Sequence, residues 1–269
     1  MTTSTKTNAT TTPSRALAWA ALAAAAVQIL VPAVQSLGGL GAPPSSQGED
    51  LLITPAGYTF SIWSLIYLLT VVFAVVVLVK RSTGTRQPDR LLRDLVLLYA
   101  GAALWIVVSA LEWTWVTAAV LVAMVVVAVD AATVAKRRVS SDVGAPTWLT
   151  LLARVTTGVY AGWVTAAGIV NVCAAMVESG WLDGDEVAWQ LGALVVLALV
   201  ALAISVLLGG SWAYAATLVW ALIGVMVAVR DTSDALVLTA AAAAVVIVTV
   251  NAVLILRRRS SSSRVVSAT

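Results

Sequence analysis

In a chain built largely from Ala, Val and Leu, aromatic residues stand well inside apolar runs, among them Trp63, Tyr67, Trp105, Tyr160 and Trp163. Trp63 and Tyr67 lie one helical turn apart in GYTFSIWSLIYLLT, a stretch followed by no charge until Lys80. In VYAGWVTAAGIVN, the residues Tyr160, Trp163, Ala167 and Asn171 recur at steps of three and four, so they share one face of a helix. That face offers flat rings, a gap beside a small residue, and an amide. Its chemistry is stacking against a flat apolar molecule and orienting it through hydrogen bonds. The same residues would also serve as packing between helices, with each tyrosine hydroxyl satisfied by neighbouring backbone.

The residue types that are missing narrow the chemistry. There is no histidine, which removes bis-imidazole haem ligation, imidazole-based zinc sites and histidine proton relays. The lysines are Lys6, Lys80 and Lys136, all in tails or loops, so no intramembrane lysine is placed to form a retinal Schiff base. Hydrolase triads lack a positioned base. The single cysteine, Cys173, permits no intramolecular disulfide and is no metal or nucleophile signature by itself. GGLGA at 38–42 lacks the spacing and the following lysine of a phosphate loop. No catalytic residue, no metal site and no required cofactor are expected, and enzymatic activity is not expected.

These side chains need a lipid-embedded scaffold. The chain is 61% hydrophobic and 11% charged, with a mean hydropathy of +0.98, against roughly 25% charged residues in an ordinary soluble domain. A spanning helix takes about 20 apolar residues. On that criterion eight spans are expected, at about 16–37, 58–79, 92–111, 113–133, 148–177, 187–208, 212–229 and 235–256. The runs are continuous rather than alternating, which excludes a β-barrel. The expected fold is therefore an all-α polytopic membrane bundle.

Apart from Arg154 and Arg230, every Lys and Arg falls in the N-tail, the 80–93 loop, the 134–147 loop or the C-tail, which eight spans place on one side. The positive-inside rule makes that side, with both termini, cytoplasmic, in a bacterial-type plasma (inner) membrane. The basic face suits anionic lipid headgroups and is no sign of nucleic-acid binding. Trp113, Trp115, Trp148, Trp181, Trp189 and Trp212 fall near span ends, where amphipathic rings collect. Asp130 and Arg154 lie near the cytoplasmic ends of the fourth and fifth spans and are expected to pair. Gln28, Gln190 and Asn171 read as interhelical hydrogen-bonding groups.

The aromatic pattern resembles the tryptophan-rich sensory protein, or translocator protein, family (TspO/MBR). That family's second helix has a Pro-Gly and aromatic approach followed by W-x-x-x-Y, matched by Pro55, Gly57, Trp63 and Tyr67 in PAGYTFSIWSLIY. Its fifth helix has Y-x-x-W, a small residue and Asn, matched by Tyr160, Trp163, Ala167 and Asn171. Its third helix has N-x-x-W, of which AALW keeps Trp105 but has Ala102 in place of Asn. The approach to Trp63 is one residue shorter than usual, and Val159 replaces a proline.

The resemblance covers residues 16–177, whereas the family normally ends after five helices. With the expected spans it divides the chain into an N-tail over 1–15, a five-helix domain over 16–177, three additional helices over 178–257 and a basic Ser-rich tail over 258–269; the Ser/Thr-rich composition of 1–14 and 260–269 is expected to leave those segments disordered. The resemblance also implies a hydrophobic aromatic ligand, of tetrapyrrole (porphyrin) type, bound by Trp63, Tyr67, Trp105, Tyr160, Trp163, Ala167 and Asn171 in a sensor, regulator or carrier. With no histidine and only Cys173 and Met176 near, metal-free porphyrin is favoured over haem. Two readings from other classes stay open. One is a small-solute transporter. The other is a ligand-free scaffold subunit, in which the small residues of AYAATLVWALIG, 213–224, form an oligomer interface.

Overall fold

The computed structural model describes residues 12–39, 51–136 and 146–266. Eight helices follow in order: α1 (Arg15–Gly38), α2 (Ile62–Lys80), α3 (Pro88–Ala110), α4 (Thr114–Lys136), α5 (Thr147–Glu178), α6 (Val187–Leu208), α7 (Trp212–Val229) and α8 (Asp234–Val266). A 3-10 turn, Gly57–Ser61, leads into α2. All eight are long and apolar enough to cross a membrane, so the chain is an all-α, multi-pass integral membrane protein set in a lipid bilayer. The ends fall where turn chemistry puts them. Pro88 opens α3, where its missing N–H costs nothing, and Gly39 and Gly209 close α1 and α6 in the left-handed conformation. Pro32 is accommodated inside α1, which continues past it.

α5 is the most buried of the eight helices and packs against α2, α4, α6 and α7. In lipid no hydrophobic force draws helices together, so close approach through small residues does much of that work. Gly162 is one such contact: a β-carbon there would lie 2.8 Å from both Thr217 Cβ and the Tyr214 carbonyl of α7. Most of the small residues of 213–224 are likewise used within the chain. Ala213, Ala215, Ala221 and Gly224 are buried against its own helices, and Ala216 is the small residue of this stretch that stays exposed.

Buried polar groups tie the bundle together. Tyr160 Oη donates to Gln28 Oε1 at 3.0 Å, and Gln28 Nε2 donates to Thr70 Oγ1 at 2.8 Å, joining α5, α1 and α2. Asn251 of α8 accepts from the Ser211 N–H at 2.9 Å and donates to Ser205 Oγ at 2.9 Å, locking the α6–α7 turn.

The expected Asp130–Arg154 pair is replaced by another. Arg90 of α3 reaches Asp130 at 2.6 and 3.1 Å in a two-pronged contact. Arg154 instead donates to the Ala135 and Lys136 carbonyls at 3.3 and 2.7 Å. The physical reason is that the last turn of α4 offers Arg154 carbonyls that have no partner within the helix, while α3 lies beside α4 with Arg90 level with Asp130. Trp113, Trp115, Trp148, Trp181 and Trp212 are exposed, as a lipid-interface belt requires.

α8 continues to Val266, so most of the segment expected to be a disordered C-tail is helical. The expected N-tail, apart from its last residues, lies outside the described residues, as do Arg137 and Arg138.

Candidate functional site

The rings on separate helices converge. Trp63, on the first turn of α2, stacks on Trp105 of α3 with centroids 5.8 Å apart and planes 23° apart. It meets Tyr160 and Trp163 of α5 edge to face at 6.0 and 6.3 Å, and Tyr67 at 5.6 Å. Tyr99 of α3 extends the series by stacking on Tyr160 at 5.9 Å. These are offset or edge-to-face arrangements within 4.5–7 Å, the range ring quadrupoles favour. Trp105, Tyr160 and Trp163 are buried, while Trp63 and Tyr67 are half-buried at the margin of the cluster.

The amide joins the cluster as well. Trp105 Nε1 donates to Asn171 Oδ1 at a long 3.4 Å, and Asn171 Nδ2 donates to the Ala167 carbonyl at 3.0 Å. All seven residues singled out from the sequence thus belong to one aromatic cluster. Two buried donors in it have no hydrogen-bond partner among the described residues: Trp163 Nε1 and the Tyr99 hydroxyl. Leaving such groups unpaired costs about 1–3 kcal/mol each, so each calls for a functional or structural explanation.

A cavity of about 30 Å³ lies against Trp105, Trp163, Ala166, Ala167, Val170 and Asn171, and is closed on one side by Pro55 and Phe60. That volume suits a single water molecule. The donor set fits a flat aromatic ligand, but the closed cavity does not, because small-molecule sites occupy about 300–1,000 Å³.

What closes it is the segment leading into α2. Phe60 meets Trp163 edge to face at 5.7 Å. The segment is held from above by the C-terminal helices. The Ile53 N–H donates to Gln190 Oε1 of α6 at 3.0 Å, the Ala56 N–H to the Gly224 carbonyl of α7 at 3.0 Å, and Trp220 Nε1 to the Thr59 carbonyl at 2.9 Å. Tyr58 and Trp220 meet edge to face at 5.5 Å. On the far side of Pro55 and Phe60, a wider space of about 470 Å³ opens between Leu51, Leu52, Thr54 and the end of α7. We call this the outer vestibule. Phe60 and Trp220 are not among the residues singled out from the sequence. Phe60 stands three residues before Trp63, the spacing that puts it on the same helical face.

Fold and site together define a polytopic helical membrane protein with a buried tryptophan cluster. The TSPO-like protein family matches residues 15–254, and the chain belongs to that family. The matched region takes in α6, α7 and most of α8 as well as the first five helices. The chain matches no curated protein and no solved structure.

Proposed function

We propose that this protein binds a flat, hydrophobic aromatic small molecule, of tetrapyrrole type, at the Trp63–Trp105–Trp163 cluster, and acts as a membrane sensor, regulator or carrier. The observation that carries this reading is Trp163 Nε1, a buried donor without a partner at the edge of a cavity already lined by Trp105 and Asn171. Ring faces would cover the ligand plane, and Asn171 and the Trp163 N–H would engage its polar atoms. The chain offers no imidazole for axial ligation, which favours metal-free porphyrin over haem.

Entry takes place from the outer vestibule. Pro55 and Phe60 separate that space from the cluster, so the ligand is admitted when the 51–61 segment moves away from Trp163. Nothing in the sequence or the described packing favours the transport or scaffold reading specifically.

The test is a titration of the full-length protein in detergent with protoporphyrin, followed by tryptophan quenching, beside a Trp63→Phe/Trp163→Phe variant checked for unchanged thermal unfolding. Saturable binding that the variant loses is expected. Binding indifferent to both substitutions would refute the site, and no saturable binding would return the cluster to helix packing.

A further inference from the structure

At the outer end of the bundle the α3–α4 turn meets the end of α5. Thr114 Oγ1 donates to Glu178 Oε2, and Trp115 Nε1 donates to Ser179 Oγ at 2.8 Å, so two neighbouring residues at the start of α4 are tied to two at the end of α5. The second bond fixes the plane of the Trp115 ring. Trp181 is held by its own backbone N–H, which donates to the Met176 carbonyl at 3.0 Å. Its ring meets that of Trp115 with centroids 5.1 Å apart and planes tilted by 48°. Both rings remain open to the surroundings, Trp115 exposed by 44% and Trp181 by 65%. A belt of interfacial tryptophans needs no such pairing. Exposed indole faces held in place attract a cation through the ring quadrupole, and paired faces are the usual means of holding an ammonium group.

The charge beside the rings has the same preference. Glu178 is the last residue of α5, where the negative end of the helix dipole disfavours a carboxylate. The salt bridges among the described residues are Arg90 with Asp130 and Arg230 with Asp231, so no cationic side chain is paired with Glu178. Glu112, whose carbonyl also meets the Thr114 hydroxyl, adds a second negative charge to the junction. A cation seated on the indole faces would offset the carboxylate at the helix end.

An apolar track leads from the rings into the bilayer. Ala119, Val122 and Val126 follow Trp115 at steps of four, three and four along one face of α4, and all are exposed. Rings and a carboxylate at the interface, with a lipid-facing apolar stripe beneath them, have the polarity of an amphiphile with a positively charged head.

We propose that this junction binds a phospholipid of ethanolamine type from the outer leaflet, with its ammonium group over Trp115 and Trp181 and donating to Glu178, and an acyl chain along Val122 and Val126. The site shares no residue with the Trp63–Trp105–Trp163 cluster and does not depend on what that cluster binds.

Delipidated full-length protein is presented with an equimolar mixture of chain-matched phosphatidylethanolamine and phosphatidylglycerol, and retained lipid is read by native mass spectrometry. Retention of one phosphatidylethanolamine is expected, whatever phosphatidylglycerol the basic face keeps. Trp181→Leu and Glu178→Gln should each weaken it about two- to fivefold. Trp212→Leu, which removes an exposed indole at the opposite end of the bundle, and Asp185→Asn, which removes one negative charge from the same face, should leave it unchanged. Trp181→Phe keeps a ring face and should retain most of the binding, which separates loss of the site from loss of the fold. Equal weakening in the Trp212 and Asp185 variants would reduce the effect to general interfacial composition and overturn the site. So would the absence of retained phosphatidylethanolamine in the parent protein. Free ethanolamine competing as well as the lipid would assign the junction to a soluble amine and overturn the lipid assignment.

Discussion

Gly224 of α7 is where the closing segment is seated, and replacing it with alanine tests how that segment is held. A β-carbon at position 224 would collide with Thr59 Oγ1, and would lie 2.9 Å from Thr59 Cγ2 and 3.0 Å from Pro55 Cβ. Overpacking of this kind costs about 1–3 kcal/mol. Displacing the segment also strains two hydrogen bonds, Ala56 N–H to Gly224 and Trp220 Nε1 to Thr59, each worth about 0.5–1.5 kcal/mol. Gly224→Ala should therefore destabilise the protein by about 2–4 kcal/mol in reversible unfolding. It should also raise acrylamide quenching of the tryptophans and speed the binding of protoporphyrin, because Phe60 is carried away from Trp163.

A second substitution sharpens the test. Thr59 Oγ1 has no hydrogen-bond partner, so Thr59→Ala alone should be nearly neutral. In the Gly224→Ala background it removes both Thr59 atoms that collide, and it should restore about half of the lost stability and slow ligand entry again. The relevant quantity is the coupling energy of the double-mutant cycle. A coupling near zero, or Gly224→Ala indistinguishable from the parent in both stability and quenching, would show that this contact does not hold the segment.

Gln28→Leu should cost about 1–3 kcal/mol, because it strands the buried Tyr160 hydroxyl; thermal unfolding measures it, and a neutral result would mean that another group accepts that proton. Trp63→Ala should cost about 3–5 kcal/mol as four ring contacts are lost, while Trp63→Phe keeps most of that stability. A double-mutant cycle between Arg90→Gln and Asp130→Asn should give a small favourable coupling, as a solvent-screened pair does. The corresponding Arg154–Asp130 cycle should give less, and the reverse order would restore the pairing expected from the sequence.

The eight helices were legible because the bilayer thickness fixes their length and the apolar runs have that length. Helical periodicity also placed Tyr160, Trp163, Ala167 and Asn171 on one face. Which other helix meets that face is not written in any single run. That Trp63 and Trp105 reach it depends on how α2, α3 and α5 pack, and here the spacing motifs supplied what composition could not. The partner of Asp130 was misjudged for the same reason: Arg154 is closer in sequence, but α3 brings Arg90 level with the carboxylate and α4 offers Arg154 its own terminal carbonyls. Phe60 and Pro55 were legible as residues near a motif and not as a closure, since their role arises from Gln190, Trp220 and Gly224, more than 120 residues away along the chain. The small residues of α7 read correctly as a close-contact surface, but the surface they contact is α5 and the 51–61 segment of the same chain.

The grip of α6 and α7 on the segment before α2 also bears on how far the molecule is modular. All four of its links lie between residues 53–59 and side chains or backbone at 190, 220 and 224, and the seat of α7 on α5 depends on Gly162. A chain shortened after Glu178 would keep every tryptophan of the cluster yet lose what presses Phe60 against it. Such a five-helix fragment would be an open-mouthed vessel rather than a smaller copy of the whole. In this protein the later helices serve as the clasp of a container whose walls were built by the earlier ones.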